Sequence, residues 1–132
     1  MSELTHFSGP VRVEWTCDGR YMQLLEPLVY VDSCGRRWTA PAGYRTDGAS
    51  IPRFFWRVIG SPFVGKYRRA AVIHDVYCSE GKKLKKNKVL IGKDRKSPAI
   101  HKLFHEMMLT DGTSRLRARV MYLAVRICGP RF

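Results

Sequence analysis

Five side chains in this sequence could bind a metal ion or transfer protons: Asp47, His74, Asp75, His101 and His105. A carboxylate combined with imidazoles is a ligand set that suits zinc, iron or manganese. An open coordination position on such an ion could lower the pKa of bound water toward about 7 and support hydrolysis. The pattern allows one divalent metal ion, such as zinc, with ligands drawn from Asp47, His74, His101 and His105. His74 and Asp75 would be catalytic only if the protein is an enzyme.

Each of these residues also has a structural interpretation, in which the protein binds no cofactor. Asp47 precedes Gly48 and can form an Asx-turn that leads into a helix. His74 could be a buried histidine that orients a neighbouring helix, and His101 and His105 could lie at the boundary of a packed helix. The H-E-x-x-H signature and a glycine-rich phosphate loop are both absent. The sequence therefore leaves open whether the protein is an enzyme.

The positive charge of the chain, +13 in total, lies almost entirely in its second half. Residues 61–132 contain 17 lysines and arginines against 5 acids, whereas residues 1–60 contain 7 against 6. Such asymmetry predicts a surface that meets an acidic protein or phosphate groups. Because aromatic residues do not alternate with the lysines, nucleic-acid binding would lack sequence specificity. The candidate binding surface comprises Lys82, Lys83, Lys85, Lys86, Lys88, Lys93, Arg95, Lys96, Arg115, Arg119 and Arg126.

The elements that must position these residues begin with a small antiparallel sheet over about residues 9–41. Its apolar segments include Val11–Trp15, which alternates with the two-residue period of a half-buried strand. Asp18-Gly19 and Ser33–Gly35 provide turn signals between the segments.

Four helices are predicted to follow, over about residues 50–129. Serine caps, prolines and glycines mark their ends. They begin near Ser50, Phe63, Ser97 and Ser114 and end near Gly60, Tyr77, Asp111 and Gly129. The lysine-rich stretch Glu80–Lys96 is predicted as an exposed excursion that includes a short hairpin. We thus expect an α+β fold in a single domain, residues 1–132, with the sheet packed against the helices.

Apolar spacing predicts which faces of the last two helices are buried. The third helix should bury Ile100, Leu103, Phe104, Met107 and Met108, and the fourth Leu116, Val120, Leu123, Ala124 and Ile127. The aromatic residues expected in the core are Trp38, Phe54, Phe55, Trp56 and Tyr77. The four cysteines lack a Cys-x-x-Cys pair and are interpreted as reduced, mostly buried thiols.

Two motifs carry a family resemblance: T-D-G-A-S-I-P within residues 44–56 and the H-D dipeptide that ends residues 70–75. Together with F-x-x-M-M at residues 104–108 and Y-L-A-V-R-x-x-G at residues 122–129, they resemble an uncharacterised family found mainly in phages, prophages and bacteria. The resemblance covers roughly residues 38–129. His101 stands where that family has an acidic residue, and the lysine-rich stretch is longer than in the family pattern.

The resemblance and the charge lead to two functional hypotheses. The favoured one is a non-catalytic phage-type virion or assembly protein, such as a tail, neck or baseplate-like component. It would act in the host cytoplasm during assembly and then in the virion, and would dock on other virion proteins through its basic half. The alternative is a small phage-type metal-dependent hydrolase acting on cell-wall amide bonds. No signal peptide or membrane span is recognised in the sequence.

Overall fold

Six short strands lie within the first 46 residues. The structure is a computed structural model and describes residues 5–46 and 68–132. The strands are β1 His6–Phe7, β2 Val13–Trp15, β3 Met22–Leu24, β4 Leu28–Val31, β5 Arg37–Ala40 and β6 Arg45–Thr46.

The strands form two antiparallel sheets of three strands each, in the orders β1-β4-β5 and β2-β3-β6. The prediction of one sheet over residues 9–41 was therefore wrong in number and bounds. The chain passes from one sheet to the other between Leu24 and Leu28. Pro27 lies in this connection, and a proline cannot donate a backbone hydrogen bond to a sheet. A strand continuous from β3 to β4 is thus disfavoured.

The two predicted turns are confirmed, and each depends on a glycine with positive φ. Gly19, with φ of 70°, lies between β2 and β3, and Gly35, with φ of 81°, lies between β4 and β5. Asp32 organises the second turn, because its carboxylate accepts hydrogen bonds from the backbone of Cys34 and Arg36 and from the Trp38 indole, each 2.9 Å long.

Three helices are present among the described residues: α1 Arg68–Lys86, α2 Ser97–Thr110 and α3 Arg115–Cys128, with a 3₁₀ turn at Lys93–Arg95. The α+β class is confirmed. The helix predicted near Ser50 lies outside the described residues, as do Asp47 and the aromatic residues Phe54, Phe55 and Trp56.

The lysine-rich stretch differs from its prediction, because α1 continues to Lys86 instead of ending near Tyr77. Lysine is a good helix former, and cations near a helix C-terminus interact favourably with the helix dipole. Lys88, with φ of 58°, lies just beyond the helix end. The predicted hairpin is wrong, since residues 87–96 contain no strand.

Helix α1 is the central helix of the fold, with consecutive buried residues from Ala70 to Asp75. It packs against β4 and β5 on one side and α2 on the other. Tyr77 links it to the sheet, because the Thr39 backbone N–H donates to the Tyr77 hydroxyl at 2.9 Å. Trp38 and Tyr77 are buried and pack edge-on, as predicted for core aromatics.

The predicted apolar stripe of α2 is buried throughout, which confirms its orientation. Ser97 is not the N-cap, however. It is the first helical residue, and its hydroxyl donates to the Phe132 carbonyl and accepts from the Phe132 N–H, both at 3.2 Å. The start of α2 is thereby tied to the last residues of the chain.

Helix α3 begins as predicted, with the Ser114 side chain accepting from the Arg117 N–H at 3.3 Å. Its predicted buried face was correct for Ala124 but wrong for Leu116, Leu123 and Ile127, which are exposed. Helix α3 packs through Ala118, Met121, Ala124 and Val125. The small side chains of Ala118 and Ala124 on this face allow α3 to approach α2 closely. None of the helices in the described part of the chain is long and apolar enough to cross a bilayer.

Candidate functional site

Three metal-ligating side chains meet in the interior between α1 and α2. His74 and Cys78 lie one turn apart on α1, and His101 comes from α2. His74 Nε2 lies 2.9 Å from His101 Nδ1 and 3.4 Å from Cys78 Sγ. Each residue offers one ligand atom, and these atoms all lie within 4.8 Å of one another. Within residues 5–46 and 68–132, this His–Cys–His cluster is the one group that could hold a metal ion.

The cluster is sealed from solvent, since His74, Cys78 and His101 are 0%, 1% and 2% exposed. The Phe104 ring stacks on His74, with centroids 4.4 Å apart. Phe132 closes the side toward the chain end: its ring lies 6.4 Å from that of His101, and it fills the space where a side chain at Gly81 would lie. A large substrate therefore has no path to the three ligand atoms in this conformation.

The electrostatic environment keeps all three groups uncharged. Burial lowers the pKa of His74 well below its ordinary value, and the proximity of His101 lowers it further. Burial also lowers the pKa of His101, which outweighs the opposite effect of its bond to the Pro130 carbonyl. Burial raises the pKa of the Cys78 thiol, as does the negative charge of Asp75.

The tautomers follow from the hydrogen bonds. His101 Nε2 lies 3.0 Å from the Pro130 carbonyl oxygen, which can only accept, so Nε2 carries the proton of the neutral ring. The lone pair of His101 Nδ1 then points at His74 Nε2, which donates to it. Histidine binds metals through a ring nitrogen that has a lone pair, while the other ring nitrogen donates a hydrogen bond that fixes the tautomer and the orientation of the ring. His101 is in this state.

Asp75 has a different partner from its neighbour His74. The Tyr44 hydroxyl donates to Asp75 Oδ2 at 2.6 Å and lies 3.2 Å from the Ser79 hydroxyl. Burial raises the pKa of Tyr44, and the charge of Asp75 raises it further, so the phenol stays protonated as a donor. Successive helical residues point about 100° apart, so the H-D dipeptide links α1 to α2 through His74 and to the β5–β6 connection through Asp75.

The structure brings together only part of the predicted ligand set. His74 and His101 meet, whereas His105 lies one turn further along α2, half-buried, with its ring 5.3 Å from Tyr122. Asp47, the remaining candidate ligand, lies outside the described residues. Cys78 was not predicted as a ligand, although its spacing of four residues from His74 places both on one helical face. The other cysteines are unpaired and exposed, which corrects the expectation of mostly buried thiols.

A surface cleft of about 460 Å³ lies between the β4–β5 turn and α2. Its lining includes Asp32, Arg36, Trp38, Asp94, His105 and Glu106. Burial alone would raise the pKa of Asp32, but hydrogen bonds from Trp38 and from the turn backbone hold it below its ordinary value. Arg36 bridges Asp32 and Asp94, at 3.1 Å from each. The acceptor sites of Asp32 are thus used to hold the β4–β5 turn.

The outer face of α3 is exposed and apolar. Leu116, Leu123 and Ile127 are 76%, 42% and 65% exposed, and Val120, between them on the helix, is partly buried against the core. Their spacing places these four residues, the α3 stripe, within about 60° of one another on the helix, opposite the buried Met121 and Val125. Exposed arginines flank the stripe: Arg115, Arg119 and Arg126 on one side, and Arg117 on the other.

The lysines and arginines of the predicted surface are all exposed, but they do not form one compact patch. Lys82–Lys86 lie on the last turns of α1, and Lys85 Nζ reaches the Arg131 carbonyl just beyond α3. Arg115 begins α3, about 20 Å away along that helix. The Arg95 guanidinium stacks on Trp38 and Tyr77, with centroid distances of 4.7 and 5.0 Å. The positive charge therefore extends from the α1 end along the outer side of α3.

A family model described as protein of unknown function (DUF1353) matches residues 22–125. The chain belongs to the DUF1353 family. This confirms the resemblance at the level of a family of unknown function, and the matched range includes the H-D dipeptide, the His–Cys–His cluster and most of α3.

Two relatives from Sinorhizobium fredii (strain NBRC 101917 / NGR234) are similar to this chain. Uncharacterized protein y4jT is 36% identical over 127 residues, which are 96% of this chain and 34% of the relative. Uncharacterized protein y4iH is 34% identical over 115 residues, which are 87% of this chain and 43% of the relative. The chain thus spans less than half the length of either relative. No solved structure matches it.

Proposed function

We propose that this chain is a non-catalytic docking module that binds an acidic amphipathic helix of a partner protein along the outer face of α3. Assembly of a phage-type virion in the host cytoplasm, with other virion proteins as partners, is the setting that the motif resemblance suggests. The observation that carries the proposal is the α3 stripe with its flanking arginines.

The stripe supports docking because α3 is apolar on two opposite sides. A surface helix normally buries one apolar face and presents polar residues to water. Here the side facing away from the core carries the exposed Leu116, Leu123 and Ile127, with the partly buried Val120 beside them, at the i, i+4, i+7 and i+11 spacing with which a partner helix is recognised. Contiguous exposed apolar residues with a polar rim are typical of interaction sites.

The charge on α3 indicates what kind of partner fits. The helix carries four arginines and no acidic residue, and all four arginines are exposed. A second copy of this chain would place arginines against arginines, which is unfavourable. A partner with carboxylates on both sides of an apolar face would neutralise them, and the lysines at the end of α1 would attract it from a distance.

A protein partner fits the α3 face better than nucleic acid does. Phosphates would contact the arginines but leave the apolar stripe in water, whereas an amphipathic helix buries both. The hydrolase hypothesis has less support, because catalysis by a metal at His74, Cys78 and His101 would require substrate to reach atoms that are buried.

The test is a binding titration with a synthetic amphipathic helix that carries leucines on one face and glutamates beside them. The control is a scrambled peptide of the same composition. We expect the Leu123→Gln, Ile127→Gln double variant to bind about 10-fold more weakly, because it removes apolar contact without adding charge. The matched control is Leu90→Gln, which changes an exposed leucine outside α3 and should leave the affinity unchanged.

Three results would contradict the proposal. These are absence of binding to the amphipathic peptide, equal binding of the scrambled peptide, and equal affinity of the double variant and the unmodified chain. Tight binding of duplex DNA in place of the peptide, with log affinity falling linearly with log salt, would instead identify a nucleic-acid partner.

A further inference from the structure

We propose that His74 Nε2, His101 Nδ1 and Cys78 Sγ form a buried, three-ligand structural site for one zinc-class transition-metal ion. The site is independent of docking at α3. It would join α1 to α2 at the level where residues 130–132 cover both helices.

Two of the three distances among these atoms are close to those that a tetrahedral ion requires. With Zn–N of about 2.05 Å and Zn–S of about 2.3 Å, two nitrogens lie about 3.3 Å apart and a nitrogen and a sulfur about 3.6 Å. The His74–His101 separation is 2.9 Å, and the His74–Cys78 separation is 3.4 Å. These two separations need to widen by a few tenths of an ångström, and the ligand atoms of His101 and Cys78, which lie within 4.8 Å of each other, complete the triangle by side-chain rotation.

The groups around the site already orient the ligands as metal sites do. The Pro130 carbonyl holds the proton of His101 on Nε2 and leaves Nδ1 free to bind. Phe104 stacks on His74 and fixes the plane of its ring. Two imidazoles and one thiolate form a ligand set that selects thiophilic transition metals over magnesium or calcium.

Binding can be written with all protons accounted for. The ion replaces the proton that His74 Nε2 donates to His101 Nδ1, and that proton moves to His74 Nδ1. The Cys78 thiol loses its proton to solvent as the sulfur bonds to the ion. One proton is therefore released for each ion bound.

Entry requires movement of the segment that covers the site. Phe132 is held to the start of α2 by two 3.2 Å hydrogen bonds with the Ser97 hydroxyl, and Pro130 contacts His101. We expect slow metal exchange, because residues 130–132 must move away before an ion can enter or leave.

The experiment uses the full chain with Cys17, Cys34 and Cys128 changed to serine, so that Cys78 is the remaining thiol. These three cysteines are exposed, so their replacement should preserve the fold. After treatment with a chelator, the chain is titrated with Co(II) and with Zn(II). We expect a cobalt–thiolate charge-transfer band that saturates at one ion per chain, displacement of Co(II) by Zn(II), and release of one proton per ion.

Thermal unfolding provides a second measurement. At free Zn(II) about 100-fold above the dissociation constant, the Tm should rise by about 8 °C. Adding Cys78→Ser should abolish both the band and the Tm shift. His105→Gln, which changes a histidine on α2 outside the cluster, should preserve both. Absence of the thiolate band in the chain that retains Cys78 would overturn the proposal, even if Zn(II) stabilised the protein, and the His74–His101 contact would then be an ordinary core hydrogen bond.

Discussion

The interior between α1 and α2 has the residue types of a reactive site but is buried, whereas the outer face of α3 has chemically inert residue types but is exposed. The interior contains the residues most typical of catalysis, His74, Cys78 and His101, yet all three are buried. The outer face of α3 contains only leucine, valine, isoleucine and arginine around its stripe, yet it is open to a partner. Accessibility therefore separates the two regions more clearly than residue type does, and the proposed roles, stability for the interior and recognition for α3, follow from it.

The largest expected difference between the two regions is in how much a substitution to alanine lowers the free energy of unfolding. Phe104→Ala should lower the free energy of unfolding by about 3–5 kcal/mol, because it leaves a cavity beside His74 in the core. Leu116→Ala should change it by no more than about 0.5 kcal/mol, since Leu116 is largely exposed. Urea denaturation of both variants measures this contrast. A cost for Leu116→Ala comparable to that for Phe104→Ala would mean that the α3 stripe belongs to the core.

The two regions should also differ in their response to pH. As the pH falls below about 6.5, the unfolded chain takes up protons at His74 and His101 more readily than the folded chain does, because folding lowers the pKa of both residues. Proton uptake stabilises the unfolded state, so the free energy of unfolding should fall by up to about 1.4 kcal/mol per pH unit for each histidine.

Urea denaturation at pH 7.5 and 5.5 measures this loss of stability. The His101→Gln variant should show a smaller loss than the unmodified chain, because one of the two histidines is gone. An identical loss in both proteins would contradict the assignment of His101 as a buried neutral group. The arginines of α3 do not titrate in this range, so peptide affinity per folded molecule should change little.

The smallest expected effect concerns the lysines at the end of α1. Reversal of charge at Lys83, Lys86 and Lys88 should weaken binding of the acidic amphipathic helix about threefold, through longer-range electrostatics, and should change stability by less than about 0.5 kcal/mol. Peptide titrations at low and high salt measure the change in affinity, and urea denaturation measures the change in stability. A loss larger than that caused by the Leu123→Gln, Ile127→Gln variant would shift the docking surface from α3 to the α1 end.

Helices α2 and α3 show what apolar spacing can and cannot predict. Helix α2 has a single apolar stripe, so its buried face was predicted correctly. Helix α3 has two, and the prediction chose the one with larger side chains. The structure buries Ala124 as predicted, but together with Ala118, Met121 and Val125 in place of the leucines and Ile127. Which stripe packs depends on how closely α2 approaches, and helix periodicity carries no information about that distance.

The candidate metal site was predictable in part. The donor chemistry of His74 and His101 was recognisable from the sequence, and they do meet. Their meeting depends on the antiparallel packing of α1 and α2, whereas Cys78 could have been found from its spacing of one helical turn from His74. The two-sheet arrangement was missed because the apolar segments at residues 22–24 and 28–31, on either side of Pro27, lie close together in the sequence and were assigned to the same sheet. The prediction overlooked the break that this proline makes between them.

The most direct test of the division between interior and surface measures two quantities on two variants. Cys78→Ser should abolish the Zn(II)-dependent rise in Tm and leave the affinity for the acidic amphipathic helix unchanged. Ile127→Gln should weaken that affinity and leave the rise in Tm unchanged. This crossed pattern is the result expected if the cluster stabilises the fold and α3 binds the partner. Loss of peptide binding in Cys78→Ser, in protein that remains folded, would contradict the account and place the buried cluster within the functional site.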